Sequence, residues 1–164
     1  MRPLTVRLIF LVGLPGSGKS SFAAALLRHC PQRRLIATDT IRSQLFGDEA
    51  IQGHWLKVWR EVGRQFQQAT QQILAGEVSE AIYDATNVVR RDRCRAIALA
   101  RAYGFTTVIA IWLNTPLSVC LKRNRHRDRQ VPEPVILQMH RRLKGAPPAL
   151  ADGYDRFIKI DGRR

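Results

Sequence analysis

Residues Gly13-Leu14-Pro15-Gly16-Ser17-Gly18-Lys19-Ser20 follow the pattern G-x-x-x-x-G-K-[ST], and their flanks constrain the fold more than any other stretch. Thr5 to Val12 before them is β-branched and apolar and reads as a buried strand. Ser21 to Arg28 after them is rich in alanine and leucine and reads as a helix. Strand, glycine-rich turn and helix are the context in which the pattern means a phosphate-binding loop. The glycines let the backbone curl so that successive N–H groups face phosphate oxygens, and the helix N-terminus adds partial positive charge. Lys19 can then reach the β- and γ-phosphates, and the Ser20 hydroxyl can ligate Mg²⁺. The chain is therefore expected to bind a nucleoside triphosphate, with ATP and Mg²⁺ held by Gly13, Pro15, Gly16, Ser17, Gly18, Lys19, Ser20 and Ser21.

Further along, short apolar runs alternate with helical patterns. Arg34–Ala37, Ala81–Tyr83, Phe105–Leu113 and Phe157–Ile160 read as strands. A helical pattern runs from about Asp48 to Ala75, with Ile51, Trp55, Val58, Val62, Phe66, Ala69 and Ile73 recurring every three or four residues. Other helices are expected over Arg90–Tyr103, from Pro116 onward, and over Pro134–Leu143. This alternation predicts an α/β fold: a three-layer P-loop NTPase fold with a mostly parallel sheet of about five strands. At 164 residues, without repeats or linker-like tracts, residues 1–164 are expected to form a single P-loop domain. Ligands in such folds bind beyond the carboxyl ends of the strands, where Asp39 and Asp84 fall.

Hydrophobic residues make up 45% and charged residues 24% of the chain, ordinary values for a soluble domain. The apolar run Leu8–Val12 is too short to span a membrane, and it leads into the phosphate loop, so neither a membrane span nor a cleaved leader is expected. Cys30, Cys94 and Cys120 lack metal-ligand spacing, and a reducing cytoplasm is the expected setting. The net charge is +14, and the basic residues cluster. Arg90–Arg95 holds four arginines, Lys122–Arg129 five basic residues, and Arg141, Arg142 and Lys144 a third group. Such a field attracts polyanions in a salt-sensitive way; the alternative reading is a solvated basic surface.

Asp39 follows the second strand, where a carboxylate can take the proton of an attacking hydroxyl; the alternative is a helix N-cap. Arg42, three residues on, shares its face if a helix begins at Asp39, and can hold a phosphate or the acceptor. Asp84 ends the third strand, where P-loop proteins put an acidic residue near the metal, usually through water; it opens Asp84-Ala85-Thr86-Asn87. The alternative there is a turn in which Thr86 or Asn87 caps the next helix. Arg123 and Arg127, four apart on a continuing helix, can close over the triphosphate and stabilise charge on the transferring group. Trp55, Trp59 and Phe66 read as core residues rather than base-stacking platforms, and His126 as an exposed neighbour.

In this combination the chain resembles the P-loop polynucleotide 5′-hydroxyl kinases, the kinase modules of nucleic-acid end-healing enzymes, and their ATP-binding relatives. The resemblance runs from the phosphate loop to about Tyr154. It rests on Gly13–Ser20, Asp39-Thr40-Ile41-Arg42, Asp84-Ala85-Thr86-Asn87, Arg123-Asn124-x-x-Arg127 followed by Val131-Pro132, and Gly153-Tyr154-Asp155. It implies that Lys19 and Ser20 handle ATP and Mg²⁺, that Asp39 is the general base, that Arg42 contacts the acceptor-side phosphate, and that Arg123 and Arg127 form an arginine lid. End-healing enzymes often carry a phosphatase or ligase domain beside the kinase, for which this chain has no room.

The expected activity is ATP- and Mg²⁺-dependent transfer of the γ-phosphate to a hydroxyl, the 5′-hydroxyl of RNA or DNA leading. A small-molecule kinase acting on a nucleoside, sugar or antibiotic is the first competitor, and a nucleotide-binding regulatory module with little transfer the second. No Asn-Lys-x-Asp motif occurs, which disfavours a GTPase, and the length disfavours a motor ATPase.

Overall fold

The computed structural model describes residues 4–48 and 53–162. In chain order the elements are β1 (Arg7–Val12), α1 (Lys19–His29), β2 (Arg34–Ala37), α2 (Thr38–Phe46), α3 (Trp55–Leu74) and β3 (Ala81–Asp84). They continue with α4 (Arg90–Ala102), β4 (Thr107–Asn114), α5 (Leu117–Arg125), α6 (Glu133–Gly145), a 3-10 turn (Leu150–Asp152) and β5 (Arg156–Asp161). The five strands lie in the order β2-β3-β1-β4-β5, and every neighbouring pair is parallel. The sheet is thus wholly parallel.

β1 occupies the centre because it can be buried on both faces. Leu8, Phe10 and Val12 point to one side, where they pack with Val58, Val62 and Phe66 of α3. Ile9 and Leu11 point to the other, against Ala23, Phe22 and Leu26 of α1. This period-two division is what a strand between two helical layers requires, and each such buried side chain contributes about 1.5–3 kcal/mol of transfer free energy. From β1 the chain first builds β2 and β3 on one side, then crosses to β4 and β5 on the other. The crevice at such a reversal, beyond the carboxyl ends of the strands, is where ligands bind.

Two expectations are corrected. The long helix begins at Trp55, not near Asp48; residues 49–52, including Ile51, lie outside the described residues. Gly53 precedes the helix with φ of +49°, and a Cβ there would stand 2.3 Å from the Phe46 ring, so the chain turns at a position that disfavours a side chain. Trp55 is not core. It lies on the first turn of α3, 46% exposed, with its ring 5.9 Å from that of Trp59, which packs partly buried against the core. Phe66 is fully buried, as expected.

Candidate active site

The donor half grows directly out of β1. Gly16 and Gly18 take φ of +80° and +98°, which L side chains rarely adopt, and a Cβ at Gly16 would lie 2.5 Å from the Cys120 carbonyl oxygen. Gly13 N–H donates to the Thr86 carbonyl and Ser17 N–H to the Leu14 carbonyl, each at 3.0 Å, which fixes both ends of the loop. Among the described residues the N–H groups of Gly16, Gly18, Lys19 and Ser20 donate to no protein acceptor. With the N-terminus of α1 behind them, they form a concave set of donors suited to phosphate oxygens. The Ser17 hydroxyl is buried with no partner, while Ser20 and Ser21 are exposed on the first turn of α1.

Lys19 is buried at the mouth of this loop, and its ζ-amine donates to the Leu14 carbonyl at 2.9 Å. Burial holds its pKa below the ordinary lysine value; Asp84 and Asp39 offset this only in part. Asp84, at the end of β3, accepts a hydrogen bond from the Ser20 hydroxyl at 3.1 Å. Burial raises its pKa above the ordinary carboxylate value, against the opposing pull of Lys19 and of the Ser20 hydroxyl. A hydroxyl and a carboxylate oxygen side by side are hard donors of the kind Mg²⁺ takes when phosphates and water complete its shell. The residues present fit that ion.

The loop after Asp84 is structural. Asn87 adopts φ of +52° and its side-chain amide donates to the Leu11 carbonyl at 2.7 Å, tying the loop to β1. Neither Thr86 nor Asn87 caps α4, whose N-cap is Val89.

Asp39 and Arg42 stand on α2, which starts one residue earlier than expected, so Asp39 lies within the first turn and the N-cap is Ala37. Arg42 donates from Nη1 to Asp39 Oδ1 at 3.0 Å. The Nε of Arg42 is buried without a partner. On the other side, Arg129 Nη1 lies 3.5 Å from Asp39 Oδ2. Arg129 sits in a bend beyond α5, where helical spacing carries no signal.

Helix α5 stops at Arg125, so Arg123 and Arg127 do not share a helical face. Arg123 donates from Nη1 to the Gly16 carbonyl at 3.4 Å, while the exposed Arg127 adds only a small downward pull at Lys19 and Asp84, whose pKa values burial governs. Asn124, buried between them in sequence, explains the stop: its side chain donates to the Val131 carbonyl at 2.8 Å and accepts from the Val131 N–H at 2.9 Å. That pairing clips the segment after α5 into a closed loop. His126 is exposed, as expected.

The basic groups divide. Arg93 is fully buried: Nε donates to Asp152 at 2.9 Å, Nη1 to the Asn87 and Val88 carbonyls, and Nη2 to the Ala146 carbonyl at 2.7 Å. It cannot meet a polyanion, and Arg90 beside it pairs with the same Asp152. Arg91 and Arg142 stay exposed and, with Arg90, line a groove of about 450 Å³ between the start of α4 and the end of α6. The three cysteines are free, and among the described residues no cluster of His, Cys, Asp or Glu is arranged to hold a metal by itself. No helix among the described residues is long and apolar enough to cross a membrane.

A wholly parallel five-stranded sheet with a glycine-rich loop after its central strand is the α/β fold of P-loop proteins, and it matches that of P-loop kinases. Residues 8–146 match the family described as an AAA domain, and the chain belongs to that family. It is 29% identical over 144 residues to the L-seryl-tRNA(Sec) kinase of Methanococcus maripaludis, covering 83% of this chain. The chain spans about half the length of that curated relative, 52%. Its fold is similar to that of a fungal RNA kinase, with TM-score 0.69 and 16% identity over 98% of this chain and 76% of that one. It is also similar to a gluconokinase from Sinorhizobium meliloti, with TM-score 0.60 and 19% identity over all of this chain and 86% of that one.

Proposed function

We propose that this protein transfers the γ-phosphate of ATP to a hydroxyl carried on a nucleic acid, the 5′-hydroxyl of RNA or DNA. The observation that carries the reading is Asp39. Its carboxylate stands between two guanidinium groups, near enough to the phosphate loop for its charge to act on Lys19. In the proposed step Asp39 accepts the proton of the acceptor hydroxyl as that oxygen bonds to the γ-phosphorus. The bond from the γ-phosphorus to the β–γ bridging oxygen breaks, and ADP leaves with the electron pair. The free N–H groups of Gly16, Gly18, Lys19 and Ser20 and the Lys19 amine hold the donor phosphates. Arg127, with Arg123, offsets the charge that develops on the transferring group. Ser20, and Asp84 through water, would hold Mg²⁺, which would supply charge neutralisation for the transfer.

Nucleic acid is favoured as the acceptor by the exposed basic residues Lys122, Arg123, Arg125 and Arg127 on the lid side, and by Arg91 and Arg142 along the groove. The similarity to a seryl-tRNA kinase supports a second reading on the same chemistry, in which the hydroxyl belongs to a serine esterified to tRNA.

ATP labelled at the γ-phosphate, offered with 5′-hydroxyl oligonucleotides, seryl-tRNA and a panel of nucleosides and sugars, tests the reading. Labelled oligonucleotide is the expected result. Label confined to seryl-tRNA supports the second reading, label in a neutral small molecule replaces both, and free phosphate alone points to a nucleotide-binding module.

A further inference from the structure

We propose that Arg129, on the segment that follows α5, is a positioning residue that orients the carboxylate of Asp39. The inference rests on reading Asp39 as the base, and it deepens that reading by naming a residue that acts through it.

Asp39 has a half-exposed side chain, 48%, on the first turn of α2. Arg42, one turn along the same helix, holds Oδ1. A single contact of this kind leaves the carboxylate free to turn, because its terminal torsion has a broad, shallow profile. Arg129 approaches the other oxygen from a distant part of the chain, at 3.5 Å. With a guanidinium at each oxygen, the plane of the carboxylate is set and its remaining lone pairs have a defined direction. A partly exposed ion pair of this type contributes only about 0–1 kcal/mol to stability. Its consequence lies in geometry, where a displacement of about 1 Å can cost roughly 10²-fold in rate.

The link to the donor half comes from Asn124. Because its side chain bonds both main-chain groups of Val131, residues 125–131 close into one loop. Arg127 and Arg129 therefore belong to a single clipped segment. Arg123, in the last turn of α5 just before that segment, bonds the Gly16 carbonyl at the donor half, and Arg129 within it reaches Asp39 at the acceptor half.

A double-mutant cycle tests this, using steady-state transfer to whichever hydroxyl acceptor the labelling assay identifies, ATP affinity by titration, and thermal unfolding as the folding control. Arg129→Ala is expected to lower kcat by about 10- to 100-fold while ATP affinity stays within about twofold. Arg129→Lys, which keeps the charge but not the fork, is expected to recover part of the loss. In an Asp39→Asn background, itself reduced by about 10²–10⁴, Arg129→Ala is expected to remove no more than about a further twofold. Losses that multiply in the double variant, ATP affinity that falls in step with kcat, or a single variant within about twofold of the parent would each overturn the proposal. Full turnover by Asp39→Asn would remove the base assignment and this role with it. If instead a small molecule proves to be the acceptor and the cycle behaves as expected, the acceptor reading fails and the role of Arg129 stands.

Discussion

Lys19 and Arg93 are both cations withdrawn from water, and they are furnished in opposite ways. Arg93 spends its donors on one carboxylate and three carbonyls, and it ties the loop after β3 to the end of α6 and to the 3-10 turn. Lys19 has a single protein acceptor among the described residues, and burial depresses its pKa more than the carboxylates nearby restore it. A saturated buried charge fixes a scaffold, because removing it strands its partners. An undersaturated one is a cost in the empty fold that only an incoming anion offsets. The same contrast separates Asp152, held between Arg90 and Arg93, from Asp84, whose carboxyl pKa is raised by burial.

The contrast can be broken at four places. Arg127→Ala should reduce transfer by roughly 10³ or more with the unfolding midpoint unchanged, since Arg127 is exposed and its proposed role is to offset developing charge. An effect confined to KM for ATP would place it in ground-state binding instead. Arg93→Ala should cost about 3 kcal/mol in urea unfolding, toward the low end for a broken buried pair because Arg90 still serves Asp152. Unchanged stability with lost transfer would move Arg93 to the side of Lys19.

Lys19→Met should lower kcat by about 10²–10³ without lowering the unfolding midpoint at neutral pH. A lysine whose folded pKa lies below its unfolded value costs stability while charged, and the cost vanishes only as pH rises through the unfolded value. A clear drop in midpoint would show that its hydrogen bond to Leu14 outweighs its burial. The smallest effect is expected for Asp84→Asn. Because the folded pKa of Asp84 is raised, its favourable contribution is full below the unfolded pKa and is lost as pH rises through the folded one. The variant should therefore melt slightly higher than the parent at neutral pH, with the difference closing as pH falls below the usual carboxylate range. A lower midpoint at neutral pH would mean that pairing with Lys19 dominates over burial.

Most elements were legible because their signals are local. β2 falls on the four residues its composition marks, and α4 and α6 match within two residues at each end. Reading failed where a distant contact overrides periodicity. Arg123 and Arg127 have helical spacing, yet Asn124 closes the chain onto Val131 and ends the helix between them. Arg90–Arg95 looks like a basic surface, yet one of its arginines, Arg93, is the largest fully buried side chain among the described residues. Trp55 fits the apolar period of α3 but lies on a turn that the core does not reach.

The donor half was determined by the sequence alone, since eight consecutive residues between a strand and a helix carry both the backbone geometry and the charge that phosphate needs. So was the layered parallel fold, through the alternation of short apolar runs with helical periods. The tertiary structure alone decided which residues share a carboxylate: Arg129 with Asp39, and Arg93 with Asp152. Those pairs join segments far apart in the chain, and their meeting depends on strand order and on a loop without periodicity. Local spacing carries no record of either.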